Sequence, residues 1–126
     1  MYTEKRGWWF HNNWSRRKAY ELAGRLTEPD EAIRFAVFWS FKTSYNNPPD
    51  GLLVGTSRRV VVIDLTVERH GFTAQVCREY PADAAIQLQR RRFSSGAWAT
   101  IEEGGTPMLL WRHNEISDPL SQAPGG

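Results

Sequence analysis

Ile33-Arg34-Phe35-Ala36-Val37-Phe38-Trp39-Ser40-Phe41-Lys42 decides the fold class. Ile33, Phe35, Val37, Trp39 and Phe41 alternate with Arg34, Ala36, Phe38, Ser40 and Lys42. A period of two sends successive side chains to opposite faces of an extended chain, whereas helical spacing would scatter the same residues around an axis. Aromatic and β-branched residues dominate, so the segment predicts a strand with one buried face.

Downstream, Tyr45-Asn46-Asn47-Pro48-Pro49-Asp50-Gly51 is a turn or short loop, and Leu52-Leu53-Val54 a short strand. Val60 to Val67 is almost entirely apolar, which predicts a central strand covered on both faces. His70-Gly71 turns the chain into a further alternating strand, Phe72–Tyr80, to make an antiparallel hairpin. Trp98–Glu102 and Met108–Arg112 flank Glu103-Gly104-Gly105-Thr106-Pro107 as a last hairpin.

Two helices are expected. Ser15 can cap residues 15–26, where Ala19, Leu22, Ala23 and Leu26 form one apolar stripe and Glu21 stands four before Arg25. Pro81 opens residues 82–93, with Asp83 in the first turn and arginines in the last, which favours a second, short helix; its apolar face is thin, and a strand is the alternative. The expected fold class is α+β: one domain over residues 1–116, with an antiparallel sheet of about five or six strands, an N-terminal helix and a second short helix. Residues 117–126, rich in Pro, Ser and Gly, read as a flexible tail.

The 126 residues are 40% hydrophobic and 24% charged, the balance of a soluble globular domain able to bury a core. The formal charge is only +2, so the molecule as a whole is no obvious polyanion binder. Its distribution is uneven: residues 1–18 carry a net +4 and the remainder −2. Arginine outnumbers lysine thirteen to three, and its planar fork grips phosphate or carboxylate at two points. A single cysteine, Cys77, excludes an internal disulfide framework and CxxC metal or redox pairs. No leader-like segment and no long apolar run appears, so a cytoplasmic protein with no membrane contact is the expectation.

The block Lys5-Arg6-Gly7-Trp8-Trp9-Phe10-His11-Asn12-Asn13-Trp14-Ser15-Arg16-Arg17-Lys18 interleaves cations with planar rings. That mixture suits stacking on bases or on a protein partner. Arg16, Arg17 and Lys18 fall in the first turn of the expected helix, where cations oppose the macrodipole, so local stability does not account for them. Either they pair with Glu28, Asp30 or Glu31 and Trp8, Trp9 and Trp14 enter the core, or the block is a contact face. Arg6 and His11 belong to the same block. Arg90, Arg91 and Arg92 at the end of the expected second helix suit its dipole, and could extend a basic stripe.

Other constellations are weaker. Glu68-x-His70 and His113-x-Glu115 could each present two ligands or an acid–base couple, but both sit at turns or strand ends. Asp64, an acid within an apolar strand, would be paired across the sheet with Arg34, Lys42 or Arg78, or lie on its open side. Cys77 reads as inert core. No nucleophile elbow, Walker loop or dinucleotide fingerprint is present.

The expected function is therefore non-enzymatic, without cofactor or metal: a small inhibitor or adaptor, of the kind mobile elements carry, that occludes or bridges an acidic protein or a nucleic-acid–protein complex. The alternative is direct RNA or DNA binding or a small ribonuclease toxin. The chain is similar in outline to small nuclease toxins, with a comparable size, a helix with an antiparallel sheet and an Arg/Lys/Trp bias, although no motif matches residue by residue.

Overall fold

The computed structural model describes residues 12–41, 49–68, 71–90, 97–102 and 105–111, with the backbone alone at 12–15, 67 and 90. Among these are one helix, α1 (Asn12–Leu26), and seven strands: β1 (Ile33–Ser40), β2 (Gly51–Thr56), β3 (Arg59–Glu68), β4 (Gly71–Pro81), β5 (Gln87–Arg90), β6 (Ala97–Thr100) and β7 (Met108–Leu110). They form a single sheet in the order β4-β3-β2-β1-β7-β6-β5, antiparallel throughout. The tail 117–126 lies outside the described residues.

The apolar stripe of α1 is the one read from the sequence. Ala19, Leu22 and Ala23 are buried, and half-buried Leu26 packs beside them. They cover Ala36, Phe38, Leu52, Val54, Val61, Ile63 and Leu65 on one face of the sheet. Glu21 accepts from Arg25 at 2.9 Å and from Lys18 at 3.4 Å on the outer side. Thr27 ends the helix by donating both its N–H (3.1 Å) and its hydroxyl (2.8 Å) to the Ala23 carbonyl. The start differs from expectation. The helix already runs through Asn12, Asn13 and Trp14, so Ser15 is not its cap, and Arg16–Lys18 stand in the second turn. Asn-Asn supplies residue types favoured at a helix start one turn earlier.

β1 is the middle of the sheet and is buried on both faces from Phe35 to Ser40, not on one. Ala36 and Phe38 lie under α1; Phe35, Val37 and Trp39 join a second core with Leu53, Val60, Val62, Ala99, Met108 and Leu110. Half-buried Tyr80, Ala84, Ile86 and Leu88 close over this second core, so the far side of the sheet is covered by its own chain. Gly51 and Gly55 make room on that face. A Cβ at Gly51 would overlap the Trp39 ring and the Ile63 carbonyl, and one at Gly55 would overlap the Phe35 ring.

β3 and β4 form the expected hairpin, with Glu68 opposite Gly71, whose φ of 144° is open to glycine but not to L side chains. β3 is covered on both faces only from Val60 to Ile63; beyond that, Asp64 and Thr66 are exposed. At the other end, the β2–β3 turn is held to the segment before β1. Thr56 Oγ1 accepts from the N–H groups of Arg58 and Arg59 at 3.1 Å each, Arg58 pairs with Asp30, and Arg59 pairs with Glu31 at 3.0 Å and with Glu79 at 3.3 Å. The Arg59 guanidinium holds the buried Glu31 carboxyl below the usual range, against an opposing push from burial.

The second short helix is not formed over the described part of residues 82–93. Pro81 is the last residue of β4, residues 82–83 turn, and β5 pairs with β6, which gives seven strands instead of five or six. Ala84, Ile86 and Leu88 are half-buried while Ala85, Gln87 and Gln89 are exposed. That alternation is the period of a strand, and pairing with Ala97–Thr100 prevails over the local helix-start cues at Pro81 and Asp83.

Candidate functional site

Two β-bulges re-aim side chains. In β1, Ile33 faces Thr56 and Phe35 faces Gly55, which leaves Arg34 as the extra residue. Arg34 is exposed, and its guanidinium donates to the Ala82 carbonyl at 2.9 Å. In β4, Arg78 faces Val62 and Val76 faces Ile63, which leaves Cys77 as the extra residue.

The first bulge helps build a basic depression. Arg16 and Arg17 from α1 and Arg34 from β1 line it together with Tyr20 and Ile33. Arg16 and Arg17 are exposed; Lys18 is half-buried and directed to Glu21. Of the three carboxylates considered as partners, two are engaged elsewhere, Asp30 by Arg58 and Glu31 by Arg59. Arg16 and Arg17 thus share one surface with a third arginine, Arg34. Arg6, Trp8, Trp9, His11, Arg91 and Arg92 lie outside the described residues, as do the side chains of Trp14 and Arg90. His70, His113 and Glu115 also lie outside them. Among the described residues, no three His, Cys, Asp or Glu side chains cluster closely enough to hold a metal.

The second bulge opens a pocket of about 260 Å³ on the face of the sheet away from α1. Trp39, Val62 and Met108 form its floor, Phe41 and Tyr80 add aromatic walls, and Ile101, Gly105 and Thr106 bound it from the β6–β7 connection. Asp64, Cys77, Arg78 and Glu102 supply its polar groups. Arg78 Nη1 and Glu102 Oε2 pair at 3.0 Å across the rim. Phe41 is half-exposed and meets Trp39 edge-on, with ring centroids 4.9 Å apart and an interplanar angle of 73°. The Phe41 N–H donates to Asp50 Oδ2 at 2.8 Å, which fixes the end of β1 beside the pocket.

Neither Asp64 nor Cys77 behaves as a buried strand residue. Asp64 lies on the open side of the sheet; Arg34 donates to Ala82 and Arg78 pairs with Glu102, while Lys42 is outside the described residues. Cys77 is exposed, not inert core: β4 is the edge strand of the sheet, and every residue from Gln75 to Glu79 is exposed. Desolvation at the pocket wall and the adjacent Asp64 carboxylate push the Cys77 thiol up, so it stands as a neutral S–H group at neutral pH. Alkylation of Cys77 in the folded protein should therefore reach completion, but more slowly at pH 8 than for an ordinary thiol with a pKa of about 8.5. The Asp64→Asn variant should react faster. Equal rates for the two proteins across the pH range would contradict this placement.

The chain matches no protein-family model, no curated protein and no solved structure. The functional reading therefore rests on the chemistry of these two surfaces. Sequence reasoning singled out Arg16 and Arg17 but not the pocket. The signal for the pocket was a cross-strand row of a tryptophan, a glycine and an acid, Trp39-Gly51-Asp64, legible only once the register is known.

Proposed function

We propose that this chain is a small non-enzymatic binding protein, an inhibitor or adaptor, that engages an acidic protein through the basic face centred on α1. The observation that carries the reading is the convergence of Arg16, Arg17 and Arg34 on one depression with no carboxylate among its described lining residues. Arginine forks suit carboxylates. Tyr20 and Ile33 add an apolar base to the depression, the kind of mixed surface that anchors a protein contact. The aromatic residues Trp8, Trp9 and Trp14 precede it directly in the chain.

The test is binding of a fluorescent poly-glutamate peptide and of single-stranded RNA to the wild-type protein and to Arg16→Glu/Arg17→Glu, at two salt concentrations. The proposal expects the peptide to bind and the variant to lose roughly tenfold or more in affinity while keeping its melting temperature. Undiminished peptide binding by the variant would sink it. Tight RNA binding that falls steeply with salt would transfer the reading to direct nucleic-acid recognition.

A further inference from the structure

The pocket between β3, β4 and the β6–β7 connection is independent of the basic face. It lies on the side of the sheet away from α1 and at the opposite end of β1. Arg34 and Trp39 are five residues apart, about 17 Å along an extended strand. Three observations point to a ligand there.

First, the Trp39 side chain is 2% exposed, and its Nε1 is buried with no hydrogen-bond partner among the described residues. Its Cε2–Cζ2 edge lies over Gly51, and Nε1 is bonded to Cε2, so the indole N–H belongs to the edge that crosses the Trp39-Gly51-Asp64 row. The other described tryptophan of this region shows what is missing. Trp111 Nε1 donates to Ser40 Oγ at 2.8 Å. A buried, unsatisfied N–H costs about 1–3 kcal/mol, and native structures rarely leave one without a reason.

Second, among the described residues that line the pocket, one charge has no ion-pair partner. Arg78 and Glu102 neutralise each other at 3.0 Å, and Cys77 is neutral, which leaves the Asp64 carboxylate facing the cavity. Third, the walls are aromatic. Trp39, Phe41 and Tyr80 converge on the same space. Rings around a cation, with a carboxylate close by, are the arrangement that attracts organic ammonium ions.

We propose that this pocket binds a small organic ammonium ion that also carries a hydroxyl or carbonyl oxygen. The cation sits among Phe41, Tyr80 and Trp39 near Asp64, and the indole, whose Nε1 is sealed from the pocket, shifts on binding so that the oxygen accepts its N–H. A cavity of about 260 Å³ has room for such a molecule and is small for a drug-sized one, since ordinary ligand clefts span roughly 300–1,000 Å³. Ring faces, in place of water, would solvate the alkyl groups on nitrogen, and Asp64 would supply the counter-charge.

Calorimetric titration with three probes tests this: choline, its uncharged carbon isostere 3,3-dimethyl-1-butanol, and tetramethylammonium, which lacks the oxygen. Choline should bind, and the isostere should bind roughly tenfold more weakly or worse, a difference of about 1.4 kcal/mol or more. Tetramethylammonium should fall between them. Asp64→Asn, at an exposed position where folding should persist, should weaken choline to the level of the isostere. In proton–nitrogen spectra, choline should shift the Trp39 indole N–H resonance, with Asp64→Asn abolishing the shift. Absence of choline binding at millimolar concentration would overturn the proposal. So would equal binding of choline and its isostere, or Asp64→Asn binding choline as the wild type does. The Arg16→Glu/Arg17→Glu variant should bind choline normally, so failure of the basic-face reading leaves this test intact.

Discussion

Gly51→Ala should lower the stability of the fold by about 3 kcal/mol, the upper end of what overpacking a well-filled core usually costs. Gly51 faces Trp39 on one side and Asp64 on the other. The added methyl would enter the space occupied by the indole ring and would also meet the Ile63 carbonyl, a backbone atom that cannot rotate away. Relief would need either the tryptophan to leave its rotamer or β2 and β3 to part, and both routes disturb the pocket. In urea unfolding, the midpoint should fall with the slope unchanged; for a domain of this size the melting temperature should drop by roughly 10 °C. Gly24→Ala is the matched control. Gly24 is exposed on α1, and a methyl added there would meet nothing within 4 Å. Alanine at that position should stabilise the protein by about 0.5–1 kcal/mol through helix propensity and a less flexible unfolded chain. Equal effects of the two substitutions would mean that the indole does not lie over Gly51.

Phe38→Ala should cost about 4 kcal/mol, within the roughly 3–5 kcal/mol range for truncating a buried phenylalanine. Phe38 is 1% exposed at the centre of the helix-side core. Its ring centroid lies 6.4 Å from that of Phe72 on β4 and 5.9 Å from that of Trp111 after β7, so one side chain ties three parts of the sheet together. The cavity cannot close by shifting α1 alone, because β1 is fixed by partners on both sides. Measured by the same urea titration, the loss should exceed that of Leu22→Ala, whose residue lies at the helix margin with 8% exposure. A smaller loss at Phe38 than at Leu22 would show that this core is centred elsewhere.

Much of the fold was legible in the chain, and the reasons are specific. The alternation from Ile33 to Phe41, the apolar run from Val60 and the turn at Gly71 each pointed to one backbone form with no competing local signal. The stripe on α1 carried its own confirmation in the Glu21–Arg25 spacing. Residues 82–90 were ambiguous because Pro81 and Asp83 are helix-start chemistry, while Ala84, Ile86 and Leu88 repeat at the period of a strand. Pairing with β6, which no local pattern encodes, decides between them. The burial of both faces of β1 was hidden for a related reason, since Ala36 and Ser40 look like the polar-side residues of a half-buried strand until a helix and a neighbouring strand are placed over them.

The candidate sites were less legible because both depend on bulges. A bulge is a mismatch between two strands, and either strand alone shows nothing unusual. Arg34 and Cys77 were read by simple alternation, which fails at the positions where one residue too many is inserted. The aromatic–basic block was legible as chemistry; of its residues, the structure places the side chains of Arg16, Arg17 and Lys18.

The order of the sheet has a kinetic consequence. Every neighbouring pair of the described strands is consecutive in the chain except β1 and β7, which meet through Trp39 opposite Leu110 and Ser40 opposite Leu109. The Trp111–Ser40 hydrogen bond beside them spans 71 residues. Closing a loop of that length costs roughly 2–3 kcal/mol more chain entropy than closing a short hairpin turn. The β1–β4 meander and the β5–β7 meander can each assemble by local steps, whereas the seam that joins them must wait until both edges exist. Ser40 and Trp111 thus stand at the slow step of folding, and until that step is complete β1 has an open edge beside an unfinished second core.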